Sequence, residues 1–259
     1  MPDHVDPPHA TGQAAQTVEK HSAQESLVFH SGWFCPFVQR VWIALEERGT
    51  PYYYKEVNPY KKEPHFLAIN PKGLVPALEH DGKALYESLV LLEYLEDAFP
   101  EHAPLRSHDA HENALVRLAA AQVSNVLVPA YYKLLQAQGQ DEQASAKEGF
   151  VKAFKDVEES WFVKSDGGDA WARGEKFGLL DAVIAPWIVR LDILVDHRGF
   201  SVAELGPRLE RYVDAILARE SVKATTSDKE AYTKIYQRYL DNTAESEVAK
   251  ATRKGEWLK

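Results

Sequence analysis

The sequence has very little cysteine: Cys35 is the only thiol in 259 residues. One cysteine cannot form an internal disulfide, and the absence of such cross-links is typical of proteins kept in a reducing compartment. Covalent chemistry at Cys35 therefore has to involve a second molecule. We accordingly expect a cytoplasmic location.

The sequence also lacks an excess of basic residues and any long apolar run. Its 30 Lys and Arg residues are outnumbered by 39 Asp and Glu residues, which disfavours a surface for nucleic acid or anionic membranes. No run approaches the roughly 20 consecutive apolar residues of a membrane span. The N-terminus has acids, histidines and prolines where a secretory signal has an apolar core. These absences predict a small-molecule partner, with no nucleic acid and no membrane.

Clusters of metal ligands are missing as well. The ten histidines show no His-x-x-x-His pair and no grouping with the cysteine. Because metal sites in proteins need such converging ligands, we predict no metal.

The sequence does contain 45% apolar residues, which is enough to build a core. The chain is also long enough for two domains. Residues 1–24 have almost no large apolar side chains and are predicted to be a disordered tail. Strand and helix patterns alternate over residues 25–100, and a linker follows at 101–108. Residues 109–259 show helical periodicity only and are predicted to form an all-helical domain.

The predicted order over residues 26–99 is βαβαββα. The Asp81-Gly82 pair is a strong signal for a hairpin between the last two strands. The predicted strands are 27–29, 52–57, 77–79 and 84–86, and the helices are 36–48, 63–69 and 88–99. In the second half, helices are predicted at 109–138, 142–164, 180–196, 205–219 and 228–240.

Cys35 is the candidate nucleophile. It precedes Pro36, a residue suited to a first helical position, and so becomes the N-cap residue. The free amides and the positive end of the helix dipole favour the thiolate, which is expected to titrate below the free-thiol pKa of about 8.5. Val38 stands where a Cys-x-x-Cys motif has its resolving thiol. An external thiol must therefore complete the reaction, and glutathione is the abundant intracellular candidate.

Two further dipeptides are candidate binding groups. The Val75-Pro76 bond precedes a strand and can be cis, and the main chain of Val75 could pair with an extended peptide. At a helix start, Glu87 can pair with an ammonium group while Ser88 and the free amides accept a carboxylate. Taken alone, each also fits a structural role, as the end of a loop or an ordinary N-cap.

Three motifs, in this order and spacing, resemble the omega class of glutathione transferases. They are FCPF at 34–37, NPKGLVPALE at 70–79 and LYES at 85–88. The resemblance is close over residues 27–100. It implies an α/β plus all-α fold, in which a thioredoxin-like N-terminal domain precedes a C-terminal helical bundle, and it implies a homodimer.

The resemblance also implies roles for individual residues. Cys35 would form a mixed disulfide with glutathione, the co-substrate, and Glu87 with Ser88 would hold its γ-glutamyl group. A lysine before the short helix holds the glycyl carboxylate in this family, and Lys62 is assigned to it although strict register places Glu63 there. The implied glutathione-binding residues are Phe34, Lys62, Val75, Pro76, Glu87 and Ser88.

The second half resembles the family more loosely, through FGLLD at 177–181 and APW at 185–187. Gly178 takes the usual Ser or Thr place of a capping box, and Asp181 can still reach back to its amide, so Asp181 is expected to be structural. Several aromatic residues are candidates for an acceptor pocket between the domains, although such residues also build cores. The pocket candidates are Trp33, Phe34, Tyr131, Tyr132, Trp187 and Arg190.

These features predict a thiol transferase or reductase that acts by deglutathionylation or dehydroascorbate-type reduction. Its partner substrate would be a small hydrophobic molecule or a disulfide or glutathionylated compound. Glutathione conjugation is the runner-up activity, because a Tyr or Ser hydroxyl would stabilise the glutathione thiolate as a donor, whereas a cysteine thiolate competes with it or captures it. The alternatives from other classes are a non-catalytic carrier of hydrophobic ligands and a membrane-inserting protein, since chloride intracellular channel proteins resemble this fold.

Overall fold

The computed structural model describes residues 5–61, 63–163 and 170–256. The chain forms two compact units. The first contains Met1–Arg106 and Ala218–Ile235, and the second contains Ser107–Leu217 and Tyr236–Lys259. The first boundary falls inside the linker predicted at 101–108. Residues 218–235, however, belong to the first unit, which corrects the prediction that 109–259 is one helical domain.

The first unit is built on a four-stranded sheet. Its strands are β1 (Leu27–Ser31), β2 (Tyr53–Glu56), β3 (Ala77–His80) and β4 (Lys83–Tyr86). Their order is β2-β1-β3-β4, with β1 parallel to β2 and the other neighbours antiparallel. Asp81 and Gly82 both have positive φ, 51° and 74°, as a tight hairpin turn requires. The predicted hairpin is confirmed.

Helices complete this unit, and the predicted βαβαββα order is confirmed. They are α1 (Gly12–Lys20), α2 (Pro36–Arg48), α3 (Pro64–Ile69) and α4 (Ser88–Ala98), with α11 (Glu220–Ala224) from the later segment. Val41 and Leu45 of α2 and Leu91 and Leu95 of α4 are fully buried. These apolar stripes hold the two helices in the core of the unit.

The N-terminal segment is ordered where a tail is predicted. Gly12–Lys20 is helical, so the prediction of disorder over residues 1–24 is wrong for this part of the chain. Ala14 and Thr17 are buried, and the Thr17 hydroxyl donates to the carbonyl oxygen of Ala224 at 2.6 Å. A composition poor in large apolar residues hid this helix, because a small residue and hydrogen bonds anchor it.

The second unit is helical, as predicted. Its helices are α5 (Ala110–Gln122), α6 (Val128–Gln136), α7 (Gln140–Trp161), α8 (Leu179–Ile188), α9 (Leu191–Arg198), α10 (Pro207–Ala218) and α13 (Glu247–Lys254), and α12 (Lys229–Leu240) contains the second unit boundary. A π-helical turn, Val123–Leu127, joins α5 to α6. The helix predicted over 180–196 is split between α8 and α9, and α13 was not predicted.

One helical run, Ala110–Gln136, is long and apolar enough to cross a membrane. Its most apolar stretch has a mean hydropathy of 1.2, and a third of that stretch is buried. A single helix of this kind is weak evidence, because core helices of soluble proteins meet the same criteria.

Candidate active site

The site is built around Cys35 at the start of α2. The residue has extended backbone angles (φ −82°, ψ 123°), and its carbonyl oxygen accepts the first helical bond, from the Gln39 amide at 3.1 Å. Pro36 follows as the first helical residue, so the predicted N-cap position is confirmed. The partly exposed thiol donates to the carbonyl oxygen of Val75, with 3.8 Å between sulphur and oxygen.

The Val75-Pro76 pair stands beside the cysteine. Its peptide bond is cis, which the sequence analysis gave as a possibility. Val75 is buried, and its main-chain oxygen points at the Cys35 sulphur. The structure therefore brings together the predicted nucleophile and the predicted peptide-pairing segment.

Glu87 and Ser88 form a second group at the start of α4. Glu87 is the N-cap residue and has a positive φ of 75°, which is uncommon for a residue other than glycine and costs on the order of 1–3 kcal/mol. Strain of this size at a surface helix start is consistent with a functional position. The buried Ser88 hydroxyl accepts a bond from Arg40 Nη1 at 3.4 Å.

Lys72 is a residue of this group that the sequence analysis missed. Its Nζ lies 2.7 Å from Glu87 Oε1, and both side chains are about half exposed. The hydrogen bond and the charge of Glu87 raise the pKa of Lys72. The ammonium group of Lys72 thus pairs with the carboxylate that the sequence analysis assigns to an ammonium group. The Asn-Pro-Lys-Gly turn contained the signal, since it fixes Lys72 close to Val75.

Phe34, the residue before Cys35 in the chain, lines a cavity of about 420 Å³. It is buried and stacks on Tyr60 with ring centres 6.3 Å apart. Lys62, assigned to the glycyl carboxylate, lies outside the described residues. The cavity is lined by Val5, Pro8, His9, Phe34, Glu56, Val57, Asn58, Lys61, Glu63 and His65.

Glu56, at the end of β2, is a second residue that the sequence analysis missed. Its Oε1 accepts the Trp33 amide at 3.2 Å, and its Oε2 accepts the Tyr54 hydroxyl at 2.8 Å. Burial raises the pKa of this carboxyl to about 7, and the two hydrogen bonds oppose that rise only in part. No short motif in the sequence marks it.

Asp181 is structural, as expected. Its carboxylate accepts the Gly178 amide at 2.8 Å, the Ala172 amide at 2.9 Å and the Tyr212 hydroxyl at 2.9 Å. Full burial raises its pKa to about 6, against these three bonds. The carboxylate fixes the start of α8 inside the helical unit.

Four of the six residues proposed for an aromatic pocket, Tyr131, Tyr132, Trp187 and Arg190, are core residues of the second unit. Tyr131 and Arg190 are fully buried in the second unit, where the Tyr131 hydroxyl donates to the Arg190 carbonyl oxygen at 3.1 Å. Tyr132 and Trp187 are 2% exposed, so the structure does not offer these side chains to a ligand. Within residues 5–61, 63–163 and 170–256, no cluster of three or more metal-ligating side chains is found.

Known proteins resemble both the sequence and the fold. The family model for the N-terminal domain of glutathione S-transferase matches residues 30–103. Glutathione transferase Omega 3C from Trametes versicolor is 50% identical, with a TM-score of 0.84 over 92% of this chain and 100% of its own. Glutathione S-transferase omega-1 from Sus scrofa is 27% identical over 248 residues, 91% of this chain and 98% of the relative.

A glutathione transferase from rice, solved in complex with glutathione, is 28% identical with a TM-score of 0.73, and the match covers 82% of this chain and 97% of that one. These likenesses confirm the two-part fold and the resemblance to the omega class. The chain belongs to the glutathione S-transferase family, as a cysteine-type member of omega-class likeness.

Proposed function

We propose that the protein is a glutathione-dependent thiol transferase and reductase with Cys35 as its nucleophile. The observation that carries this proposal is the placement of the only thiol at the N-cap of α2, against the main chain of the cis Val75-Pro76 segment. A hydroxyl at this place would stabilise the glutathione thiolate as a hydrogen-bond donor, whereas a cysteine thiolate captures the glutathionyl group.

The reaction has two balanced steps. The Cys35 thiolate attacks the glutathionyl sulphur of a mixed disulfide, so a Cys35–glutathione disulfide forms and the substrate leaves as a thiolate. A glutathione thiolate then attacks that disulfide, releases glutathione disulfide and regenerates the Cys35 thiolate. Because Cys35 is the only cysteine in the chain, the second thiol has to come from solution.

The binding roles follow the geometry of the two groups. Glutathione would pair with the Val75 main chain beside Pro76, with Phe34 at its side. Its α-carboxylate would meet Ser88 and the first amides of α4.

The ammonium group of glutathione would pair with Glu87 and take the place of Lys72. Lys62 is the proposed partner of the glycyl carboxylate. The other substrate would be a small hydrophobic or glutathionylated molecule, in a cytoplasmic setting.

A steady-state assay tests the reaction class. We expect wild-type protein to reduce hydroxyethyl disulfide with glutathione and to conjugate an aryl chloride slowly. Cys35→Ser should abolish the reductase activity, because an alcohol does not form the mixed disulfide. A variant that keeps its reductase activity, or a wild type that only conjugates, would replace this proposal with conjugation as the main activity.

A further inference from the structure

Glu56 is a partly buried acid that the proposed reaction does not use. Its two oxygens contact different parts of the first unit, the main chain before Cys35 and the hydroxyl of Tyr54. No ion pair from a described residue offsets its burial. Burying a carboxyl without a cationic partner costs stability. Its two hydrogen bonds therefore point to a role other than stabilising the fold.

The contact with Trp33 fixes the chain that presents the nucleophile. Trp33 is fully buried and is held at both ends, since its amide donates to Glu56 and its indole nitrogen donates to the Pro7 carbonyl oxygen at 3.2 Å. Two residues later, the Cys35 amide donates to the Gly32 carbonyl oxygen at 2.8 Å. The Glu56 side chain therefore supports the turn that sets the position of Cys35.

We propose that Glu56 is a positioning residue for Cys35, which holds the Gly32–Cys35 turn through the Trp33 amide and whose charge opposes ionisation of the thiol. This inference rests on Cys35 being the nucleophile of the proposed function. An ionised Glu56 accepts the Trp33 bond more strongly, because charge-assisted bonds exceed neutral ones. Its negative charge lies at the Trp33 amide, two residues before Cys35, and a negative charge there disfavours a second one on the Cys35 sulphur.

Glu56 lines the cavity beside Phe34 and also bonds to Trp33 in the Gly32–Cys35 turn. Lys61, Glu63 and His65 line the same cavity, and none of them bonds to Trp33. The titratable side chains around Glu56 and the groups that it contacts are Tyr54, Tyr232, His9, Lys61, Glu63 and His65. With its pKa near 7, Glu56 changes charge at neutral pH, where the enzyme would operate.

Alkylation of Cys35 by iodoacetamide across a pH series tests the inference, because the chain contains no other thiol. In the wild type, ionisation of Glu56 near neutral pH should raise the pKa of Cys35, so the rate should rise more gradually with pH than it would for a single ionising group. Glu56→Gln removes the charge, while its side-chain oxygen can still accept the Trp33 amide and its NH2 group can donate to the Tyr54 oxygen. It should follow a single ionisation and react about threefold faster than wild type between pH 7 and the thiol midpoint, which corresponds to half a pKa unit. At pH 5.5, where wild-type Glu56 is protonated, the two rates should be equal.

Glu63→Gln is the matched control, because Glu63 lines the same cavity without contacting Trp33. It should keep the wild-type profile. Glu56→Ala, which also removes the hydrogen bonds, should lower disulfide reductase activity, and Glu56→Gln should restore it.

A single ionisation in the wild type, or identical profiles for wild type and Glu56→Gln, would overturn the inference. The wild-type profile alone decides the matter even where a variant fails to fold. Failure here is distinct from failure of the proposed function, because the reductase assay with Cys35→Ser reports on Cys35 as nucleophile without reference to Glu56.

Discussion

Single residues carry the chemistry through their surroundings more than through their identity. Cys35 is an ordinary thiol in sequence, and only its place at a helix start next to the Val75 main chain suits it to attack a disulfide. Glu56 and Asp181 are ordinary acids in sequence, and burial raises the pKa of each. The effects of changing such residues are therefore expected to depend on pH.

Tyr212→Phe should destabilise the protein, and more so at neutral than at acidic pH. The Tyr212 hydroxyl bonds Asp181 and lowers its pKa, while burial raises that pKa to about 6. Loss of the hydroxyl removes a bond to a carboxylate, worth about 1.5–3 kcal/mol when ionised. The loss of folding stability in Tyr212→Phe should grow as pH rises through 6, because Asp181 ionises there. Melting temperatures at pH 4.5 and 8 measure it, with Tyr53→Phe on β2 as the control, and a pH-independent loss would contradict the account.

Lys72→Gln should leave glutathione binding as tight as in wild type or tighter. In our account, Lys72 competes with the glutathione ammonium for Glu87, so its removal frees the acceptor. Glu87→Gln should instead raise KM for glutathione about tenfold, which is the loss of one charged hydrogen bond. Lys83→Gln, an exposed change on β4, is the control. A tenfold higher KM for Lys72→Gln would show that Lys72 binds glutathione itself.

At the scale of elements, α1 is held to the first unit by a network of polar groups. The His21 ring, just after α1, stacks on Tyr52 with centres 3.8 Å apart and lies 2.9 Å from Glu46 Oε1. The Tyr52 hydroxyl also donates to Glu46 at 2.8 Å. Burial raises the pKa of Glu46, but the bonds from His21 and Tyr52 outweigh it and leave the pKa below its usual value.

Glu46→Gln should loosen α1. The change removes an ionised acceptor and should speed amide hydrogen exchange over residues 12–20, by roughly tenfold for a loss of about 1.4 kcal/mol. Because the folded pKa of Glu46 is lowered, its contribution is present at neutral pH and is lost as pH falls through that pKa. Glu25→Gln is the control, because Glu25 and Glu46 line one cavity. Equal exchange in Glu46→Gln and wild type would refute the role.

The sequence was sufficient for elements set by neighbouring residues. Asp81-Gly82 predicts the hairpin, and Cys35-Pro36 predicts the start of α2, because turn and cap chemistry act within a few positions. It was insufficient where partners are distant in the chain. The bond from Thr17 to Ala224 spans 207 positions, and the Glu56 bond to Trp33 spans 23. Such contacts leave no local pattern from which to predict them.

At the scale of the molecule, residues 218–235 belong to the first unit although they follow most of the helical unit in the chain. Arg219 pairs with Glu47 through two bonds of 2.6 and 2.7 Å, and Thr225 accepts a bond from Gln39 at 3.1 Å. Both partners lie on α2, the helix that begins at Cys35. The later segment therefore helps to hold the helix that carries the nucleophile.

The quaternary structure is a prediction of the family resemblance. We expect a homodimer, which static light scattering at micromolar concentration measures directly. Dilution to nanomolar concentration serves as the control for weak association. A monomeric mass at every concentration would refute the predicted dimer. It would not affect the account of Cys35, because the described contacts of that residue lie within one chain.

The central claim is that Cys35 forms a disulfide with glutathione, and the intact mass of the protein after incubation with oxidised glutathione tests it most directly. We predict one added glutathionyl group per chain, its removal by a reducing agent, and no addition to Cys35→Ser, which has no thiol. An unmodified wild type, or a Cys35→Ser variant that still gains the group, would contradict the account.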